Sequence, residues 1–221
     1  MVISMKAYDI VYRGGCGEIV EKKSRFIANV FPVDSEEEAQ KQIEAIRKKY
    51  WDARHNCHAF VIGANHDITR CSDDGEPSGT AGRPILEVLT GAGVHNVLVI
   101  VTRYFGGTLL GTGGLVRAYS QAAQAGLADS RIITRQPGRK VTVRTDYNGI
   151  GKLQYIAGKM GLTTLDTSYT ESVEMVLLVP EDMCTKLLKE ITEATAGQAQ
   201  TEVSDEICFA LLEGKPILFE D

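Results

Sequence analysis

"VLVIVTRYFGGTLLGTGGLVRAY", Val97 to Tyr119, passes without a break through three kinds of sequence. Val97–Val101 is a continuous apolar run rich in β-branched residues, as expected of a strand buried on both faces. Five glycines follow, Gly106, Gly107, Gly111, Gly113 and Gly114, and then "GGLVRAYSQAAQAGLADS", a helix of small residues suited to close packing on a sheet. A strand that feeds a helix through glycines leaves backbone N–H groups unobstructed at the positive end of the helix, a layout that suits a phosphate or carboxylate. Arg103 at the strand end and Arg117 in the helix add two guanidinium groups that can grip an anion. The spacing fits neither G-x-x-x-x-G-K-[ST] nor G-x-G-x-x-G, so neither of those phosphate-binding mechanisms applies. Residue logic alone leaves an anion site and a plain tight turn both open.

Upstream, "SDDGEPSGTAGRP" (Ser72–Pro84) has the same turn-rich style with acids in place of arginines. Asp73, Asp74 and Glu76, with the Ser78 hydroxyl beside them, admit three readings. They are oxygen ligands for a hard cation, a general acid and base, or turn residues bonded to their own backbone. The EF-hand spacing is absent, and no metal is expected. Arg83 and Pro84 open a helix closed by Gly91 and Gly93. In "RHNCH", His55 and Cys57 face one side of a strand and His58 the other, so the three do not converge on a zinc ion. Trp51 reads as a packing residue.

The remaining pattern is α+β. "YDIVYRGGCGEIVEKKSRFIANVFPV" reads as a hairpin around Gly14-Gly15 followed by a third strand. "SEEEAQKQIEAIRKKYW" is a helix with a Ser35/Glu38 capping box, acids in its first turn and bases in its last. "NCHAFVIG" and "DITRCS" form another hairpin. Arg135–Gly138, "RQPG", reads as the boundary between a first domain over 1–134 and a second over 139–213. The second runs strand, helix, strand, strand, helix, strand, with Asn148 and Pro180 opening its helices and "TEVSDEICFALL" as its last strand. That βαββαβ order is the split arrangement of ferredoxin-like domains.

Of the 221 residues, 1–134 balance 15 basic against 15 acidic, while 135–221 hold 9 against 14 and so carry the whole net charge of −5. A nucleic-acid surface, which needs a basic patch, must therefore be local and lie in the first half. Five cysteines at irregular spacing make no disulfide framework, and a cytoplasmic setting is expected. The first residues lack the apolar core of a signal peptide, and Val97–Val101 is far short of the roughly 20 residues that span a bilayer, so no membrane partner is expected.

"SDDGEPSGTAGRPIL" followed by "VIVTRYFGGTLLGTGGLVRAY", with "CHAFVIG" upstream, resembles the signature of the YigZ/IMPACT family, and the second domain resembles the DUF1949 module. The resemblance implies a ribosomal protein S5 domain 2-like first domain and a ferredoxin-like second domain. It also implies a role in translation regulation, since eukaryotic relatives restrain the kinase that senses uncharged tRNA. The reading that follows is a non-enzymatic binding protein, needing no cofactor, that contacts RNA phosphate, the ribosome or a translation factor through Arg83, Arg103, Arg117 and the glycine turn. An enzyme acting on a phosphorylated small molecule or nucleotide, and a protein-protein adaptor, are the alternatives. A proline dipeptidase activity has no support, because metal-binding His and acids at metallopeptidase spacing are missing.

Overall fold

The computed structural model describes residues 6–219 and divides the chain into two compact units between Thr134 and Arg135. The first unit contains β1 (Tyr8–Arg13), β2 (Cys16–Glu21), β3 (Ser24–Pro32), α1 (Glu36–Lys49), β4 (His55–Ile62), β5 (Ile68–Ser72), α2 (Gly82–Ala92), β6 (Val94–His95), β7 (Val97–Tyr104) and α3 (Gly111–Asp129). Its sheet has the order β2-β3-β7-β4-β5, antiparallel throughout. Alternation along the central strand builds two cores at once. Val97, Val99 and Val101 meet Ile85 and Leu89 of α2 and Tyr119, Ala122 and Ala123 of α3, whereas Leu98 and Ile100 meet Ile43 and Ile46 of α1. A strand covered on both faces has no polar side to display, which explains the unbroken apolar run.

The first hairpin differs from the sequence expectation. β1 pairs in parallel with β6, and the hairpin joins β2 to β3 through Lys22-Lys23. Gly14-Gly15 is needed for close approach instead of turning, because a Cβ on Gly14 would run into the Val30 carbonyl. Lys22 and Lys23 both take positive φ, 44° and 66°, in a two-residue turn where Asn-Gly is the usual signal. The Ser35 half of the capping box forms as expected, its hydroxyl accepting from the Glu38 N–H, while the Glu38 carboxylate reaches one residue further back and accepts from the Asp34 N–H.

The second unit takes residues 6–7 and the chain from Arg135 onward. β8 (Arg131–Thr145) supplies its central strand, followed by α4 (Ile150–Lys159), β9 (Thr163–Tyr169), β10 (Val173–Pro180), α5 (Glu181–Ala194), β11 (Gln200–Val203), β12 (Ile207–Leu212) and β13 (Lys215–Phe219). The strands run β11-β8-β10-β9, antiparallel, with both helices packed on Val141, Val143, Met175 and Leu177. Arg135–Gly138, read as the domain boundary from its proline and glycine, is extended strand at the start of the second unit, with Gln136–Gly138 paired with β12, and a Cβ on Gly138 would meet the Phe209 ring. Gly149 takes the N-cap expected at Asn148. The expected last strand is two: β11 pairs with Val141–Arg144 and β12 with Gln136–Gly138, split where Ser204 turns to bond Lys140. β13 completes a hairpin with β12.

No helix among the described residues is long and apolar enough to cross a membrane.

Candidate functional site

The acid loop between β5 and α2 lies against the end of β7 and the flank of α3. Each of its carboxylates is held by protein donors. Asp73 accepts from three backbone N–H groups, those of Gly79 (2.8 Å), Ala81 (3.0 Å) and Gly82 (2.9 Å). It thereby caps α2, whose own N-cap residue, Ala81, has no side chain for the task. Burial raises the Asp73 pKa, but the three donors outweigh it and the net shift is downward. Asp74, at φ 41°, accepts from Arg47 (2.8 Å) and from the Asn56 N–H (2.7 Å).

Glu76 is the buried member. One carboxylate oxygen accepts from the Arg103 guanidinium at 2.6 Å and from the Tyr119 hydroxyl at 2.8 Å. Glu76 comes from the acid loop, Arg103 from the end of β7 and Tyr119 from α3, so one carboxylate ties the two glycine-rich stretches together. The Arg103 guanidinium lies 5.4 Å from the ring centre of Phe26 and 5.6 Å from that of Phe105, and its Nε is buried without a hydrogen-bond partner.

The same network takes in Cys57, whose thiol is 2.9 Å from the Asp73 carbonyl oxygen and 3.3 Å from the Tyr119 hydroxyl. Burial, followed by the nearby carboxylates, pushes the thiol up to about 12 despite the Tyr119 hydrogen bond, and burial likewise raises Tyr119. A thiolate is the reactive form, so Cys57 is inert at neutral pH. Titration of the native protein with a thiol reagent is expected to modify exposed Cys16 and Cys71 promptly and buried Cys57, Cys184 and Cys208 only on unfolding. Rapid labelling of Cys57, located by peptide mapping, would contradict this environment.

The other sequence candidates are placed as follows. Ser78 is exposed, and Arg83 pairs with Glu87 at 3.0 Å on the surface of α2. Arg117 is exposed on α3 above Gly113. Gly106 donates its N–H to the Ser24 hydroxyl, and a Cβ there would collide with the backbone of Lys23 and Ser24. Gly107 and Gly111 take positive φ, and Gly111–Gly114 form the first turn of α3. His55 bonds the Asp74 carbonyl at 2.9 Å, and His58 points to the opposite face. Among the described residues no group of three or more metal-binding side chains converges. Trp51, expected to pack, is 83% exposed, because it follows the last turn of α1 beyond the edge of the core.

The α2 and α3 helices differ at their N-termini. Asp73 fills that of α2; α3 starts at Leu110 with no side-chain cap and no acid in its first turn. Its first backbone N–H groups are therefore available to an outside acceptor, with Arg117 one turn on. Lys22 and Lys23, which packing of the β2–β3 turn on Gly106 brings beside the glycine turn, carry no sequence signal linking them to it.

Residues 22–127 match the model of the "Impact N-terminal domain", and residues 143–198 match "Domain of unknown function (DUF1949)". The chain is similar to IMPACT family member YvyE of Bacillus subtilis, 40% identical over 195 residues that cover 88% of this chain and 90% of the relative. With IMPACT family member YigZ of Escherichia coli it shares 34% identity over 181 residues, 81% of this chain and 89% of the relative. Protein IMPACT of Mus musculus matches over 98 residues at 36% identity, covering 42% of this chain and 30% of that protein. A solved structure titled "Crystal structure of an hypothetical protein" superposes with a TM-score of 0.58 and 31% identity, over 89% of this chain and 97% of that one. With both domain models matched in order and relatives aligned along most of their own length, this chain belongs to the IMPACT family.

Proposed function

We propose that this protein is a translation-associated binding protein whose first unit holds RNA phosphate, on the ribosome or another RNA of translation, at the glycine turn. The observation that carries the reading is the uncapped, acid-free N-terminus of α3 with Arg117 beside it, in the unit where the α2 N-terminus is filled by Asp73. Backbone N–H groups bind phosphate without a field of lysines, so the net charge of −5 does not oppose local contact. The carboxylates of the acid loop are engaged by internal donors, which favours a binding role over an enzymatic one. We read residues 1–134 as an S5 domain 2-like fold and 139–213 as a ferredoxin-like fold; the strand order β11-β8-β10-β9 supports the second assignment.

The test is binding of the purified protein to labelled RNA and to ribosomes at about 50 and 200 mM salt, with Arg117→Glu in parallel. Affinity is expected to fall steeply with salt, and the variant is expected to bind at least about tenfold more weakly, as loss and reversal of a phosphate contact imply. Binding that ignores both salt and Arg117→Glu would overturn the proposal.

A further inference from the structure

The end of the sheet that carries the glycine turn holds basic and aromatic side chains that the fold does not use. The β3–β7–β4 register places Arg25 opposite Tyr104 and His55 opposite Arg103, so the β2–β3 turn, the glycine turn and the segment after α1 share that end. Phe105 is 57% exposed, with the Arg103 guanidinium near its ring. Trp51 is 83% exposed. The Tyr104 hydroxyl donates to the Asp52 carboxylate at 2.8 Å, so each of the two aromatics is the chain neighbour of one partner in that bond.

Lys22 and Lys23 form the turn packed on Gly106, both in the left-handed region that the Cβ of an L-residue disfavours. Asparagine and glycine would fill this turn with less strain, and strained residues of this kind concentrate at functional sites. The acids at this end are Glu18, Glu21 and Asp52, together with Asp73, Asp74 and Glu76 of the acid loop against the end of β7; Glu18 is paired with Arg25, Asp52 is bonded to Tyr104, Asp74 is paired with Arg47 and Glu76 with Arg103, Asp73 accepts from three backbone N–H groups, and Glu21 flanks the turn. Beneath them the Arg103 Nε is buried and unpartnered, in a residue only 7% exposed.

We infer that this end of the first unit binds single-stranded RNA, with Phe105 and Trp51 stacking unpaired bases and Lys22 and Lys23 holding the adjoining phosphates. The inference rests on the phosphate reading above and narrows it. Duplex RNA offers phosphates but keeps its bases stacked within the helix, whereas a single strand can lay them on aromatic faces. Phe105 suits the task because the Arg103–Glu76 pair fixes the guanidinium beside it, leaving the rest of the ring open to solvent.

The experiment measures the intact protein against a labelled single strand of about 12 nucleotides and the same strand annealed to its complement. The single strand is expected to bind more tightly and to quench Trp51, the only tryptophan. Phe105→Ala is expected to weaken single-strand binding by about 5- to 150-fold and duplex binding little. The double variant Lys22→Asn, Lys23→Gly is expected to melt at a higher temperature yet bind RNA with a salt slope smaller by about 1.4, two phosphate contacts on a single strand. That combination separates a binding role from a structural one. Equal affinity for both forms, with Phe105→Ala unchanged and Arg117→Glu still weakened, would overturn the single-strand inference and leave the phosphate reading standing. Trp51 fluorescence that stays unquenched when the single strand binds would likewise overturn the inference, because the stacking it asserts is then absent. No salt-dependent RNA binding at all, including the case of a purely protein-mediated ribosome association, overturns both.

Discussion

Glu76→Ala is expected to lower the stability of the first unit by about 3–5 kcal/mol, the range seen when one partner of a buried ion pair is removed. The Arg103 side chain is 8% exposed and that of Glu76 4%, so water cannot take over from the missing carboxylate. The Tyr119 hydroxyl loses its acceptor at the same time. A urea titration followed by circular dichroism reads the effect, and the melting temperature should drop on the order of 10 °C. The cause is separable from loss of volume. Arg103→Met in the Glu76→Gln background should be milder than the sum of the two single variants, because no buried charge then remains, with a coupling of about 1–3 kcal/mol. Additive losses would show that the pair is not acting as a unit.

The second large effect belongs to Asp73. Asp73→Ala leaves the N–H groups of Gly79, Ala81 and Gly82 without their acceptor, and the expected cost is about 2–4 kcal/mol, the sum of a lost helix cap and orphaned loop donors. Its pH dependence has a defined sign. The folded-state pKa of Asp73 lies below the ordinary value of 3.8, so the folded state holds the proton less tightly than the unfolded chain does. The contribution is therefore complete above the unfolded value and is lost as pH falls through the folded one. Wild type and Asp73→Ala should differ most in stability near neutrality and converge on acidification below that window. A stability difference that stays constant from neutral pH into strong acid would count against the carboxylate as the source.

The two effects explain why the acid loop looked ambiguous. Three carboxylates in one short stretch suggest metal binding or acid-base chemistry, yet each is matched to donors that are distant in sequence. Asp73 caps a helix that starts 9 residues later, outside the three-residue spacing by which a capping box is recognised. Glu76 is paired with Arg103, 27 positions away, and with Tyr119, 43 positions away. The same pairing gives Arg103 a different place from the one its position at a strand end suggests: it is inside the protein, under Phe105, while Arg117 stays in solvent.

Local physical chemistry wrote much of this protein into its sequence. The double-sided strand Val97–Tyr104, the capped and charge-graded α1, the β4–β5 hairpin and the helix–strand order of the second unit follow from periodicity, caps and turn residues acting over a few positions. Where long-range packing competes with those signals, the tertiary structure decided. Gly14 and Gly138 were conscripted for close approach, the hairpin turn went to two strained lysines, and a Pro-Gly stretch was drawn into a strand because β12 pairs with it. The candidate site divides the same way. Its glycines and exposed arginine are visible in one stretch of chain, but the buried carboxylate that joins its two loops finds Arg103 only in the folded unit, and the β2–β3 turn, the glycine turn and the segment after α1 share one end of the sheet only when antiparallel register brings the ends of β3, β7 and β4 side by side.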